Sequence, residues 1–233
     1  MFLWGVLVYD ELDYLQPLLN RLLYHKQDDY FMYDVNSPEA LKEWVMGQNV
    51  QHGAYAFDGD YSKMRNELDD RARELDAEWI FQLDVDELPT HNLIMEVESI
   101  VRDSGYSLVN VCRQNIYTDI SEEEKKRINY TSMGYMWPDR KPRIYKLDAG
   151  IKWEGRIHEE PSWEGPRANL PADLTFCIVH EKTMARQEGQ NQKYEKYEEH
   201  RDLAKQITAH HQWKRGILED WADYPDPFDV DDD

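Results

Sequence analysis

The residues with most chemical potential lie in the run Trp79-Ile80-Phe81-Gln82-Leu83-Asp84-Val85-Asp86-Glu87, where an apolar segment passes abruptly into acid. On an extended strand successive side chains alternate faces, so Asp84 and Asp86 should project to one side and Val85 to the other. Two neighbouring carboxylates repel each other unless water screens them or a cation sits between them. A hard divalent ion that also bridges to a phosphate is the arrangement with a chemical use. The same residues also read as a solvated acidic exit from a strand. Other reactive side chains stand at comparable places. Asp34 closes an apolar segment at residues 30–35, and His180 closes another at 174–180. His158 and Glu159 are adjacent, and Arg65, Arg143 and Arg156 could contact phosphate.

The elements that must position these groups follow from periodicity. Residues 2–9 are continuously apolar, as in a strand buried on both faces. Leu12, Leu15, Leu18, Leu19, Leu22 and Leu23 recur at helical spacing. A strand at 30–35 leads to a helix capped by Asn36 or Ser37, with Pro38 in its first turn. A weaker strand at 51–57 ends in the turn Asp58-Gly59-Asp60. A long helix bearing Met64, Leu68, Ala72 and Leu75 then delivers the chain to the acidic run. This β-α-β-α-β-α-β alternation predicts a parallel sheet with helices on its faces. Beyond it we expect a helix marked by Leu93, Val97, Ile100 and Val101, and a strand at 107–113. An irregular insert at 115–141, a hairpin pairing 143–147 with 151–158, the 174–180 strand and a helix over 187–207 should follow. The tail from 223 is expected to be disordered.

Composition narrows the classes. With 41% hydrophobic residues, 8 Trp, 15 Tyr and 6 Phe, the 233 residues can bury a sizeable core. The formal charge of −20 opposes binding to nucleic acid or anionic lipid. Eight acids between Glu219 and Asp233 contribute to it. Cys112 and Cys177 stand in apolar runs, which suggests buried thiols rather than a disulfide or a zinc site. No segment approaches 18 apolar residues, so no transmembrane span is expected. The start of the chain has no secretory signature, and the expected compartment is the cytoplasm. The dinucleotide Gly-rich fingerprint and the P-loop are both absent.

In this order the features resemble a family-2 glycosyltransferase of the GT-A fold. The resemblance rests on Tyr9-Asp10-Glu11, on Asp34-Val35-Asn36-Ser37, on Arg65-Asn66 with Asn66 lying 18 residues ahead of Asp84, and on the Asp-x-Asp of Asp84 and Asp86. In the second half, Lys141-Pro142-Arg143-Ile144-Tyr145-Lys146, Trp153-Glu154-Gly155-Arg156-Ile157-His158-Glu159, Ile178-Val179-His180 and Asn191-Gln192-Lys193-Tyr194 are similar to a bacterial branch that includes the lipopolysaccharide-core glucosyltransferases. The match covers roughly residues 3–197. Val35 and Asp10 depart from the family pattern, where an acid and an Asn are usual.

The resemblance implies an α/β GT-A fold: one Rossmann-like, mostly parallel sheet flanked by helices, with a C-terminal hairpin and a long helix. It implies a glycosyltransferase domain over 1–222, with a nucleotide-binding half at 1–90, an acceptor half at 91–222 and an acidic tail at 223–233. It also implies a chemistry in outline: a metal-dependent, inverting transfer from a nucleotide-sugar, a UDP-sugar first, to a saccharide or glycolipid hydroxyl. Asp84, Asp86 and His180 would hold Mn²⁺ or Mg²⁺. Tyr9, Glu11, Asp34, Arg65, Asp84 and Val85 would bind the donor. Glu159 would be the base, with His158 and then Asp139 as alternatives. Each has a structural alternative: a helix cap for Asp34, a satisfied buried histidine for His180, a hairpin anchor for His158 and Glu159. Three other classes fit less well. A two-carboxylate glycoside hydrolase would place its acids on opposite sides of a sugar. A nucleotidyltransferase would carry a Gly-rich or Lys-bearing loop after the first strand. A binding module that lost activity completes the set, and modified DNA is the alternative acceptor for the glycosyltransferase itself.

Overall fold

A computed structural model describes residues 1–156 and 159–194. The chain divides into two compact units, residues 1–114 with 138–180, and residues 115–137 with the chain from 181 on.

The alternation read from the sequence holds through the first 84 residues. Strand β1 (Phe2–Val8) is followed by helix α1 (Leu12–Tyr24), β2 (Asp29–Asp34), α2 (Glu39–Met46), β3 (Gln51–Tyr55), α3 (Tyr61–Glu74) and β4 (Trp79–Asp84). Then come β5 (Glu87–Pro89), α4 (His91–Arg102), β6 (Leu108–Tyr117), α5 (Glu122–Arg127), β7 (Tyr135–Lys146), β8 (Lys152–Glu154), β9 (Glu160–Ser162), β10 (Arg167–Asn169), β11 (Ile178–Lys182) and α6 (Met184–Tyr194). Among the described residues one mixed sheet has the order β3-β2-β1-β4-β7-β6-β11-β5, with β10 beside β6. Strands β1 to β4 pair in parallel, and β4–β7 and β5–β11 are antiparallel.

Strand β1 explains its own unbroken apolar sequence, because both of its faces are covered. Phe2, Trp4, Val6 and Val8 join a cluster with the buried leucines of α1, Leu41 and Val45 of α2, and Leu93 and Val97 of α4. Leu3 and Leu7 join Leu68 and Ala72 of α3 on the other face. A Cβ on Gly5 would stand 3.0 Å from Leu68 and Ile80 side-chain carbons, so the missing side chain lets α3 lie close to β1. The chain winds outward from β1 to β2 and β3, then returns through α3 to the far side of β1. The winding therefore reverses between β1 and β4, which makes a topological switch point at the carboxyl ends of these strands.

Several local expectations are corrected. The strand beginning at Trp79 ends at Asp84, and Val85 and Asp86 form a turn, so strand alternation does not set the directions of Asp84 and Asp86. The expected hairpin between 143–147 and 151–158 is replaced by an antiparallel pair of β8 and β9, with Trp153 opposite Pro161. The insert at 115–141 is not irregular throughout, since the end of β6, α5 and the start of β7 occupy much of it. Strand β6 runs on to Tyr117 and β11 starts only at Ile178. Helix α2 has Pro38 at its N-cap and no capping side chain; Asn36 instead bonds to Asp34. The expectations for residues 195–233, including the tail and most of the 187–207 helix, fall outside the described residues.

Burial pushes two acids of this scaffold, Asp29 and Asp69, toward neutrality. Asp69 on α3 is 1% exposed. Its Oδ1 accepts from Tyr145 Oη at 2.7 Å and Gln82 Nε2 at 2.8 Å, while Oδ2 has no donor. Burial pushes this carboxyl up to about 7, against the pull of those bonds and of Arg73. Between about pH 4 and pH 7 the folded protein keeps a proton that the unfolded chain has lost, so this group's contribution to stability falls as pH rises through that window. Asp69→Asn is expected to flatten that decline and to add on the order of 2 kcal/mol at pH 8. Urea midpoints at pH 5 and pH 8 measure both effects.

Candidate functional site

Asp34 and Asp84 both lie at the carboxyl rim of the parallel strands. Strand β1 separates them, and its Leu7 is in register with Asp84 while Val8 is in register with Tyr33. Two strand spacings across and a two-residue offset along put them about 12 Å apart. Asp34 is buried, and its Oδ1 accepts from the backbone N and Nδ2 of Asn36 at 2.8 and 3.1 Å. Tyr9 and Val35 are each 44% exposed at the ends of β1 and β2. Glu11 accepts a bond from the Asp10 backbone N.

Asp84 is held by two arginines. Arg65 Nη2 on α3 reaches Oδ1 at 2.9 Å, and Arg143 Nη2 on β7 reaches Oδ2 at 2.7 Å. Burial alone would raise the Asp84 carboxyl; Arg143, Arg65 and Arg113 outweigh it and hold the group well below the usual carboxylate range. A third of this side chain still reaches solvent. The network extends both ways. Arg65 Nε donates to Glu159 Oε1 at 2.6 Å, and its guanidinium lies 4.9 Å over the Trp153 ring. Arg143 also donates to Glu87, which is fully buried and shares Oε1 with Arg113. Arg113 closes a two-nitrogen contact on Asp139 Oδ2 at 3.0 and 2.8 Å, and Lys141 reaches Oδ1 of the same residue at 3.1 Å. Residues 139, 141 and 143 alternate along β7 and so share one face. Four carboxylates and four cations therefore balance one another.

Asp86 faces a different partner. Strand β11 runs antiparallel to β5 with His180 opposite Glu87, and His180 Nε2 stands 3.2 Å from Asp86 Oδ2. A carboxylate oxygen and an imidazole nitrogen are a donor set suited to Mn²⁺. Among the described residues no three His, Cys, Asp or Glu side chains converge on a metal position. The pair thus fits an ion whose remaining ligands come from substrate oxygens and water, a common pattern for hard divalent cations. Asp84, with an arginine on each oxygen, is less suited to direct ligation than Asp86.

The two residues Arg65 and Asn66 divide their work. Arg65 points to Asp84 and Glu159, while Asn66 exchanges two 2.9 Å bonds with the backbone of Trp153. One turn of α3 thereby anchors β8 and holds the carboxylate just ahead of β9. His158 lies outside the described residues. Arg156 donates through Nε to the Gly59 carbonyl at 3.2 Å. The sequence reading missed Glu87 and Arg113. Glu87, directly after the Asp-x-Asp, could have been suspected as the next acid in the run; Arg113 carries no local signal.

This arrangement can be compared with solved structures. No protein-family model matches the sequence, and no curated protein matches it. The fold is similar to that of S. aureus TarS. TarS 1-349 in complex with UDP aligns at a TM-score of 0.52 and 12% identity, over 94% of this chain and 72% of that one. The complex of TarS 1-349 with UDP-GlcNAc aligns at 0.51 and 15% identity, over 78% of this chain. The chain spans 58% of the length of that second structure. At these identities the likeness is one of fold, and the fold is the expected GT-A-like α/β class. No described helix is long and apolar enough to cross a membrane.

Proposed function

We propose that this protein is a metal-dependent glycosyltransferase, moving a hexose from a nucleoside-diphosphate sugar, a UDP-sugar first, to a saccharide or glycolipid hydroxyl with inversion. The observation that carries the reading is the placement of Asp84, locked between Arg65 and Arg143 at the switch point, beside the Asp86–His180 pair. The resemblance of 141–180 to the lipopolysaccharide-core glucosyltransferases supports the acceptor class. The TarS complexes with UDP and UDP-GlcNAc support the donor class.

In this reading Asp34 accepts hydrogen bonds from the base or ribose, and the exposed ring of Tyr9 lies along the base. Glu11 and Val35 line the same rim. Asp84, unable to turn, fixes the ribose or donor sugar. Asp86 and His180 hold Mn²⁺ or Mg²⁺, which when bound neutralises charge on the departing diphosphate. The charge balance of the arginine network gives this role weight, because the arginines are already committed to carboxylates. Glu159 takes the acceptor proton. Arg65 occupies its Oε1, and among the described residues none donates to its Oε2.

The test is UDP release from UDP-glucose and UDP-GlcNAc, with Mn²⁺ or Mg²⁺ and a panel of saccharide acceptors. Wild-type protein should turn over only with metal. Glu159→Gln should lower kcat by about 10²–10⁴-fold while still binding UDP. Failure of UDP, GDP and dTDP alike to bind, with or without Mn²⁺, would overturn the proposal. Unchanged turnover in Glu159→Gln would remove Glu159 as the base.

A further inference from the structure

Arg65 is one member of a closed polar circuit. The others are Asp69 of α3, Gln82 of β4, Tyr145 of β7 and Trp153 of β8, each 2% exposed or less. None of these four can touch a substrate, so any effect they have on chemistry passes through Arg65. Trp153 Nε1 donates to Tyr145 Oη at 2.8 Å, and Tyr145 Oη donates to Asp69 Oδ1 at 2.7 Å. Gln82 Nε2 donates to the same Asp69 oxygen at 2.8 Å and to the Arg65 carbonyl at 3.0 Å. Gln82 Oε1 accepts from Arg65 Nη1 at 3.3 Å. The Trp153 ring, 4.9 Å from the guanidinium, closes the loop.

Only one assignment of donors and acceptors satisfies this circuit. An indole N–H can only donate, so Tyr145 Oη must accept there and give its one proton to Asp69. Burial and the Asp69 carboxylate hold the Tyr145 phenol well above its usual range, so that proton stays in place. A flipped Gln82 amide would set its oxygen against two acceptors, Asp69 Oδ1 and the Arg65 carbonyl, and its NH₂ against a guanidinium N–H. The direction of every bond is therefore fixed, and with it the plane and rotation of Arg65.

The consequence falls unequally on the two carboxylates that Arg65 holds. Asp84 keeps Arg143 on its second oxygen whatever Arg65 does. Glu159 has Arg65 Nε as its donor, and among the described residues no other side chain bonds to that carboxylate. We propose that Gln82, Asp69, Tyr145 and Trp153 are positioning residues that aim Arg65 and, through it, the carboxylate of Glu159. The kinetic part rests on the role of Glu159 as the base. Loosening the circuit then misplaces the base but not the donor, so the loss appears in kcat and not in affinity.

Tyr145→Phe removes the central hydroxyl, and Gln82→Met removes the amide at nearly equal volume. Val97→Ala, cut from the apolar cluster on the other face of the sheet, controls for lost stability. In NMR spectra of the intact protein, the Arg65 Nε–H signal is identified by its disappearance in Arg65→Lys. It should exchange slowly in wild type and Val97→Ala, and fast in Tyr145→Phe and Gln82→Met. With a UDP-sugar and Mn²⁺, both circuit variants should lose about 10–10²-fold in kcat while UDP affinity stays within about threefold. An Arg65 signal as protected in both circuit variants as in wild type would overturn the proposal. So would wild-type kcat in both, or an equal loss of kcat in Val97→Ala. Wild-type protein that shows the NMR contrast yet never turns over would sustain the positioning of Arg65 and remove the glycosyl-transfer reading instead.

Discussion

Glu87→Ala is expected to destabilise the protein by about 3–5 kcal/mol, the largest stability effect at any single ionisable residue of the site. Glu87 is fully buried and serves three donors at once: Arg143 and Arg113 on Oε1, and the Asp84 backbone N on Oε2 at 3.1 Å. Removing it leaves the buried Arg143 and the half-buried Arg113 each with one fewer carboxylate, and a backbone donor without its side-chain partner. Breaking a buried network in this way costs far more than the network contributes relative to an apolar core. A urea midpoint that drops with an unchanged slope would measure the loss. Glu122→Ala is the control. Its pair with Lys125 is exposed, and its loss should leave the urea midpoint almost unchanged. A comparable small loss for Glu87→Ala would mean that the arginines find other partners and that the network does not hold Asp84 in place.

Asp86→Ala should lower metal-dependent transfer by at least about 10²-fold while leaving the fold intact. The residue stands in a turn after β4, and His180 Nε2 lies 3.2 Å from its carboxylate. Asp86→Asn separates two roles. The amide oxygen can still accept from His180, but it brings no negative charge to a cation. If both variants are equally inactive, and added Mn²⁺ no longer shifts the thermal midpoint, the carboxylate acts as a metal ligand. Wild-type rates in Asp86→Asn would mean that Asp86 only orients the imidazole, and the metal assignment would fail.

These two residues also show how far the sequence could be read. Asp86 was visible as half of an Asp-x-Asp, yet its direction was misjudged because the strand stops at Asp84. Glu87 stands in the same run, where nothing local gives it a role. Its role depends on Arg113 and Arg143, which are 26 and 56 positions away. The pairing of the 151–158 segment is hidden from the sequence for a related reason. A three-residue strand such as β8 has too little pattern of its own to choose between β7 and β9, and the bonds from Asn66 help to hold it.

The order of the first seven elements, the two-sided burial of β1 and the arrival of Asp34 and Asp84 at strand ends were determined by the sequence alone. Periodicities of 2 and 3.6 residues are local properties, and each segment carries its own. Which arginine meets which acid, that Asp86 turns to His180 while Asp84 does not, and that Asp29 is left without a donor were decided only by the tertiary structure. Such contacts join side chains up to 94 residues apart, and their energy depends on burial that no single segment encodes.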